Sequence, residues 1–398
     1  MLHAWRTPAS LERTRFAGTD DPPQSSFSLI VPARHEQAVL ETTLVGLAAL
    51  EHPTYEVVVV VGHDDHETRE VAKRVAAASP ARMRVIVDAS WPKNKPRALN
   101  AALPACRGEI VGVFDAEDEV HPTLLTHIDR CFASTEADVV QGGVQLMNYR
   151  SSWYAVRNVL EYYFWFRSRL HFQAEQRFIP LGGNTVFVRR NLLRSAGGWD
   201  PDCLAEDCDL GVRLSAMGAR TVVAYEPTVV TREETPQTLR ALVRQRTRWN
   251  QGFLQVLRKR DWRGLSPKQR ALAWYTLAMP FFQALSAVLL PFSIATMLFL
   301  EAPILLSLLS FLPLIPTGLI LAAEVAGLHD FCRVYGYRAR TRDYLRLIVG
   351  MFPYQSVLAL AAARAVFREL RGVRNWEKTS HVGVHLQRHP IVVRGEGV

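Results

Sequence analysis

Between Arg270 and Glu324 the chain carries a single charged residue, Glu301. The block before it, "ALAWYTLAMPFFQALSAVLLPFSIATMLFL", and the block after it, "APILLSLLSFLPLIPTGLILAA", each match the ~20 helical residues that cross a hydrocarbon core. A hairpin of two transmembrane helices over 271–328 is therefore expected, and the polar residues before it must fold as a separate unit. The formal net charge of +9 raises the possibility of nucleic acid as a partner. Its placement argues otherwise, because Arg and Lys crowd both flanks of the apolar block, from Arg258 to Arg270 and from Arg333 to Arg346. That pattern fits a positive-inside orientation and anionic lipid.

Residues 1–26 form a polar stretch without an apolar signal region, expected to be disordered, and the domain after it is expected on the cytoplasmic side. The five cysteines are odd in number and include no CxxC pair, as reduced structural thiols would. From Phe27 the chain alternates apolar β-branched runs with helical patterns: "FSLIVPA", "YEVVVVVG", "MRVIVDA" and "EIVGVF" are strands separated by helices. This is the pattern of an α/β sheet, whose ligands bind beyond the C-terminal strand ends. Acids cluster at three such ends, in "GHDDHET" after Val61, "DASWPKNKPRALN" after Val87 and "DAEDE" after Phe114. Four carboxylates within Asp115–Glu119 repel one another unless water or a cation screens them, so a divalent-metal site stands against a solvated loop.

Taken in order, "VPARHE", the "DD" at Asp64 and Asp65, "DAED", "AEDCDLGVRL" and "QRTRW" resemble the membrane-bound branch of family 2 glycosyltransferases, which includes the cellulose-synthase-like and β-polysaccharide synthases. Pro180–Gly183 ("PLGG"), Gly197–Asp200 ("GGWD") and the tail "NWEKTSHVG" are similar to segments of the same family, and the likeness runs from Phe27 to Gly383. It implies a GT-A nucleotide-sugar-binding domain over 27–240, followed by a QxxRW and interfacial helix at 241–270 and the helix hairpin. A basic cytoplasmic loop at 329–343 comes next. A segment at 344–370, re-entrant, interfacial or a third transmembrane helix, and a tail at 371–398 complete the order.

The resemblance also implies roles. Asp115, with Glu117 or Asp118, would hold Mg²⁺ or Mn²⁺ against the donor diphosphate. Asp64 or Asp65 would hold the donor's uracil and ribose, although both also suit a turn and N-cap before the next helix. Lys95 or Arg97 would neutralise donor phosphate, and Asn100 would add a contact from the helix. Asp207, beside Glu206, matches the base of the family's Thr-Glu-Asp, with Ala205 standing in the Thr position; capping of the following helix is the structural alternative. Gln245, Arg248 and Trp249 fall on one helical face, where Arg248 would grip diphosphate and Gln245 and Trp249 would meet the acceptor. A cationic helix on the membrane surface is the plainer reading of that stretch.

The aromatic segment Trp153–Phe172 has the composition of an interfacial helix or a buried core helix. The functional expectation is an inverting, metal-dependent transfer of a sugar from a nucleotide diphosphate, UDP-hexose by the resemblance, to a glycan or lipid-linked acceptor. The site would face the cytoplasm from a multi-pass protein of the inner membrane. Export of a polymer would need a homo-oligomer or a partner, because two or three helices cannot enclose a glycan channel. A catalytically silent nucleotide-binding scaffold subunit is the alternative from another class, and a transporter has too few spans to be built from this chain. The arginines at the far end of 344–370 place the C-terminus on the cytoplasmic side.

Overall fold

In the computed structural model of the chain, residues 23–299 and 314–377 are described, and the expectations for residues 1–22, for the turn of the helix hairpin and for residues 378–398 lie outside them. Strands β1 (Phe27–Ala33), β2 (Tyr55–Gly62), β3 (Met83–Asp88) and β4 (Ile110–Val113) pair in parallel in the order β3-β2-β1-β4. Valine and isoleucine fill both faces of these strands, as expected of a sheet covered by helices on each side. The covering helices include α1 (Leu40–Ala48), α2 (His66–Ala78), α3 (Lys95–Ala102) and α4 (Leu124–Thr135). Because the four strands are parallel, their C-terminal ends open on one edge.

The sheet continues through β5 (Val139–Gly142), which with β6 (Val144–Leu146) precedes the helical excursion α5 (Ala155–Phe164), a π-helical turn at Trp165–Arg169, and α6 (Leu170–Glu175). Strand β7 (Val186–Arg189) inserts antiparallel between β4 and β5, so residues 182–185 enter at the edge where β1 to β4 end. Helix α7 (Arg190–Ser195), helix α8 (Glu206–Ala216) and strand β8 (Thr221–Ala224) follow, completing a mixed seven-stranded sheet, while β9 (Thr231–Glu233) pairs with β6.

Four long helices come last: α9 (Leu239–Lys259), α10 (Pro267–Phe299), α11 (Leu314–Val334) and α12 (Thr341–Leu370). Helices α10 and α11 occupy the region of the expected hairpin, and among the described residues they extend beyond 271–328 at both ends. Ala273 and Leu277 of α10 pack with Phe178, Cys208 and Val256, and Leu328 and Phe331 of α11 join the main core. The cause is a set of buried polar pairs that hold α11 to α5. The Arg157 guanidinium donates to both oxygens of Glu324 at 2.9 and 2.6 Å, and the Tyr163 hydroxyl donates to Asp330 at 2.7 Å. The aromatic segment is accordingly a core helix over Ala155–Phe164, whereas Trp165, Arg169 and Phe172 beyond it line a cavity. Residues 329–334 are helical rather than loop, and Tyr335 and Tyr337 pack on the same core.

The first described turns of α11 and the middle of α10 expose large apolar side chains, among them Phe281, Phe282, Leu285, Leu289 and Leu319. By length and composition, the one described helix that meets the criteria for crossing a membrane is α12, whose 30 residues correspond to about 45 Å of helix. Pro353 does not break it. Its inner face lies along α9, with Tyr354 and Leu358 against Leu242.

Helix α9 approaches the start of α8 through Gly252, where a Cβ would fall 2.5 Å from Ala205 N and 2.9 Å from Ala205 Cα. Replacing Gly252 by Ala gains about 1 kcal/mol of helix propensity but drives that Cβ into backbone, an overpacking that costs about 1–3 kcal/mol. Gly252→Ala is expected to lower the thermal unfolding midpoint, and an increase would show that the two helices can separate at no cost.

Candidate active site

The open edge of the sheet forms the floor of a cavity of about 1520 Å³, walled on the other side by α5, α9 and α10. Asp115 stands just beyond β4, where its carboxylate pairs with the Lys95 ammonium; Lys95 also donates to Gly183 O at 2.8 Å. Lys95 begins α3 beside the N-cap Asn94, whose side chain accepts from Arg97 N. Burial disfavours the Lys95 cation, yet Asp115, Glu206 and Asp207 around it hold its pKa above the ordinary lysine value. One ammonium therefore serves carboxylates from two separate parts of the chain.

Glu206 and Asp207 open α8, where the helix N-terminus favours negative charge. Ala205 occupies the N-cap position and supplies no side-chain bond, and Asp207 Oδ1 instead accepts from Cys208 N at 2.8 Å. Burial, with the neighbouring Asp207, pushes the Glu206 carboxyl up to about 7, and burial also raises Asp207. A side chain at Gly183 would lie 3.1 Å from Asp207 Oδ2, so the small residue keeps space open beside that carboxylate.

Of the two candidates for completing the metal site, Glu117 lines the cavity with Asp115. Asp118 is turned away, accepting from Asp115 N at 2.8 Å and from Asn184 Nδ2 at 2.9 Å. Burial and the Asp115 and Glu36 charges raise Glu117 well above the usual carboxylate range. Among the described residues no three His, Cys, Asp or Glu side chains form a closed metal cage. Two carboxylates at a cavity wall suit the other arrangement, in which a hard divalent ion keeps waters and completes its shell with substrate phosphate. The donor set thus fits Mg²⁺ or Mn²⁺ with Asp115 and Glu117 as its oxygen ligands.

On α9, Gln245, Arg248 and Trp249 all line the cavity. Gln245 is buried, and its Oε1 has no hydrogen-bond partner among the described residues. Arg248 has no carboxylate salt-bridge partner among the described residues, and its guanidinium lies 4.5 Å from the centre of the Trp376 ring. Trp249 is flanked by Arg246 at 4.6 Å and by the Tyr162 ring at 6.2 Å. Trp376 is positioned by the adjacent Glu377, which accepts from Arg364 at 2.6 and 2.8 Å and from Arg368 at 3.2 Å.

Asp64 and Asp65 are not brought to this cavity. Asp65 is the N-cap of α2, accepting from Thr68 N at 3.2 Å and from His35 N at 2.5 Å, and Asp64 pairs with Arg34 at the rim. The requirement of a helix N-terminus for an acceptor has claimed Asp65. Arg97 pairs with Asp202, and Asn100 binds both backbone polar groups of Trp199, so neither points into the cavity. The strand-end position is filled instead by Asp88, which pairs with Lys93, and the exposed Trp91 lines the same cavity. The acid after Val87 was the sequence signal for this corner, whereas Lys93 and Trp91 gave none that separates them from a solvated loop.

A parallel sheet edge bearing a carboxylate pair, a second acid pair at a helix start and Arg248, which forms no salt bridge among the described residues, are an arrangement suited to a phosphorylated donor. A family model described as "Glycosyltransferase like family 2" matches residues 22–252, and the chain belongs to that family. Its relatives include a beta-monoglucosyldiacylglycerol synthase of Trichormus variabilis, 27% identical over 89% of this chain and 76% of that protein. Another synthase of that name, from Nostoc sp., is 30% identical over 57% of this chain, a match that spans 49% of the relative. In structure the chain is similar to a mannosyltransferase from Pyrobaculum calidifontis solved with GDP-Man and Mn²⁺, with a TM-score of 0.62 and 21% identity over 93% of this chain and 94% of that one. The fold is the α/β GT-A type.

With Asp207 as the proton acceptor, activity requires its ionised form. Its folded pKa is raised, so the base is lost as pH falls through a midpoint above the ~3.9 of a free aspartate. The acid limb of the kcat/KM profile is expected above that value. A limb at or below it would remove Asp207 from the base role.

Proposed function

We propose that the protein moves a hexose, with inversion, from a nucleoside diphosphate donor to a hydroxyl on a glycan or lipid-linked acceptor at the cytoplasmic face of a membrane. The observation that carries this reading is a single cavity in which Lys95 joins the Asp115 carboxylate to Glu206 and Asp207, with Arg248 opposite. Asp207 takes the proton of the acceptor hydroxyl as its oxygen attacks the anomeric carbon. Attack from the face opposite the leaving diphosphate inverts that carbon. Arg248 is a permanent, multidentate donor for the diphosphate, and Lys95 adds a point charge nearby. Mg²⁺ or Mn²⁺ held by Asp115 and Glu117 would supply further neutralisation of the departing charge. Gln245 and Trp249 offer a hydroxyl-binding amide and a flat face to the acceptor sugar or head group.

Asp207→Asn is expected to reduce kcat by about 100- to 10,000-fold, the usual range for general-base removal, with donor Kd unchanged. Asp115→Ala is expected instead to abolish Mn²⁺-dependent donor binding measured by calorimetry. A parallel loss of donor affinity in Asp207→Asn, or metal-independent activity of the parent enzyme, would overturn the assignment.

The apolar faces of α10 and α11 anchor the domain in the bilayer, and α12 lies along its surface. Helix α12 is docked near its end, where Gln251 of α9 bonds Glu369 and Arg368, and that docking supports a cytoplasmic C-terminal side. A cysteine at Arg371, exposed beyond α12, is expected to resist an impermeant thiol reagent added to intact cells; the native cysteines are buried. Labelling from outside would make α12 a third transmembrane helix.

A further inference from the structure

Two half-buried arginines line the cavity without a carboxylate salt-bridge partner among the described residues, Arg248 and Arg169. Arg248 acts on Glu206 and Asp207, so the donor diphosphate accounts for it. Arg169 has other surroundings. It closes the π-helical turn Trp165–Arg169, a local geometry that is rare and concentrated at functional positions. Its guanidinium lies 5.1 Å from the centre of the Trp165 ring, and Tyr275 of α10 lines the same cavity. Burial lowers its pKa from the ordinary arginine value. A desolvated cation without a carboxylate salt bridge among the described residues is costly, and an anionic ligand would remove that cost.

The surroundings identify the kind of anion. Trp165, Phe172, Tyr275 and Met279 line the same cavity as Arg169, and the Gln173 side chain bonds the Thr276 hydroxyl at 3.1 Å, fixing α6 against α10. From Tyr275 the surface of α10 continues into exposed Phe281, Phe282 and Leu285. A guanidinium matches phosphate geometry, and tryptophan and tyrosine at the border between a polar cavity and an apolar helix are the residues of a lipid head-group level. A soluble phosphate would gain nothing from the apolar wall, and an uncharged glyceride would leave the cation unmatched.

We infer that Arg169, held over Trp165, binds the phosphate of a membrane lipid whose head group enters the cavity opposite the donor and whose chains lie along α10. The inference rests on reading this cavity as the transferase site, and it specifies the acceptor side of that site as a phospholipid pocket.

The test uses the full chain in neutral detergent with three probes: dioctanoyl phosphatidylglycerol, dioctanoylglycerol and glycerol 3-phosphate. Phosphatidylglycerol is expected to bind at least about tenfold more tightly than the other two, the effect of one charge-assisted contact. Arg169→Gln is expected to bring phosphatidylglycerol to the level of dioctanoylglycerol, while Arg169→Lys keeps part of the difference. Equal binding of the two lipids by the parent protein, or a preference that survives Arg169→Gln, would overturn the inference. Glycerol 3-phosphate binding as tightly as phosphatidylglycerol would overturn its lipid part. Donor Kd, measured on the same samples, separates this from the transferase reading: its absence in the parent protein defeats that reading, whereas a normal donor Kd with no lipid preference defeats only this inference.

Discussion

The site is organised around the charge of Lys95. Its ammonium lies among Asp115, Glu206 and Asp207, side chains from two distant parts of the sequence, in surroundings where burial opposes the charges of Lys95, Glu206 and Asp207. Without that cation the carboxylates would repel one another in a desolvated space. With it, they remain close enough to work on the same small ligand. The sheet places Asp115, α3 places Lys95, and the antiparallel insertion of β7 brings Gly183 O within 2.8 Å of the ammonium. Much of the fold up to α8 can be understood as the means by which these groups are held together.

A second constraint concerns close approach. Gly183 leaves room beside Asp207, and Gly252 lets α9 press against Ala205 one residue before the acid pair. The alanine at that position, a departure from the family's threonine, lies in this contact. The cap that a threonine hydroxyl would have supplied is missing, and Asp207 makes the Cys208 N bond itself. Local packing and the chemistry of the acid are therefore linked through a single small side chain.

The parallel strands were legible because buried strands announce themselves as valine and isoleucine runs, and Asp115 because it follows such a run directly. The QxxRW face followed from helical spacing alone. Asp64 and Asp65 stayed ambiguous because an acid before a helix has two uses, and the fold takes the capping one for Asp65. Trp165–Arg169 was hidden for a different reason: a π-helical turn has no distinctive composition, and aromatic residues around a helix look the same whether lipid or protein covers them. The hairpin boundaries were drawn from the absence of charge, so Glu324 read as the end of an apolar block. Its partner Arg157 is 167 residues away and invisible to any local pattern.

That ion pair bears on how the molecule is assembled. Arg157 is almost completely enclosed, and it is neutralised only when α11 lies against α5. The carboxylate of Glu324 and the carbonyl of Leu347 that satisfy this guanidinium both lie beyond residue 314, and loss of the carboxylate alone would leave a buried cation unpaired, a defect of about 3–5 kcal/mol in comparable pairs. The catalytic half is therefore completed late in synthesis, by a helix whose other end is apolar. Folding of the sheet domain and docking of α11 become one event, and a catalytic half cut away from that helix would be a damaged protein rather than a smaller version of the same one.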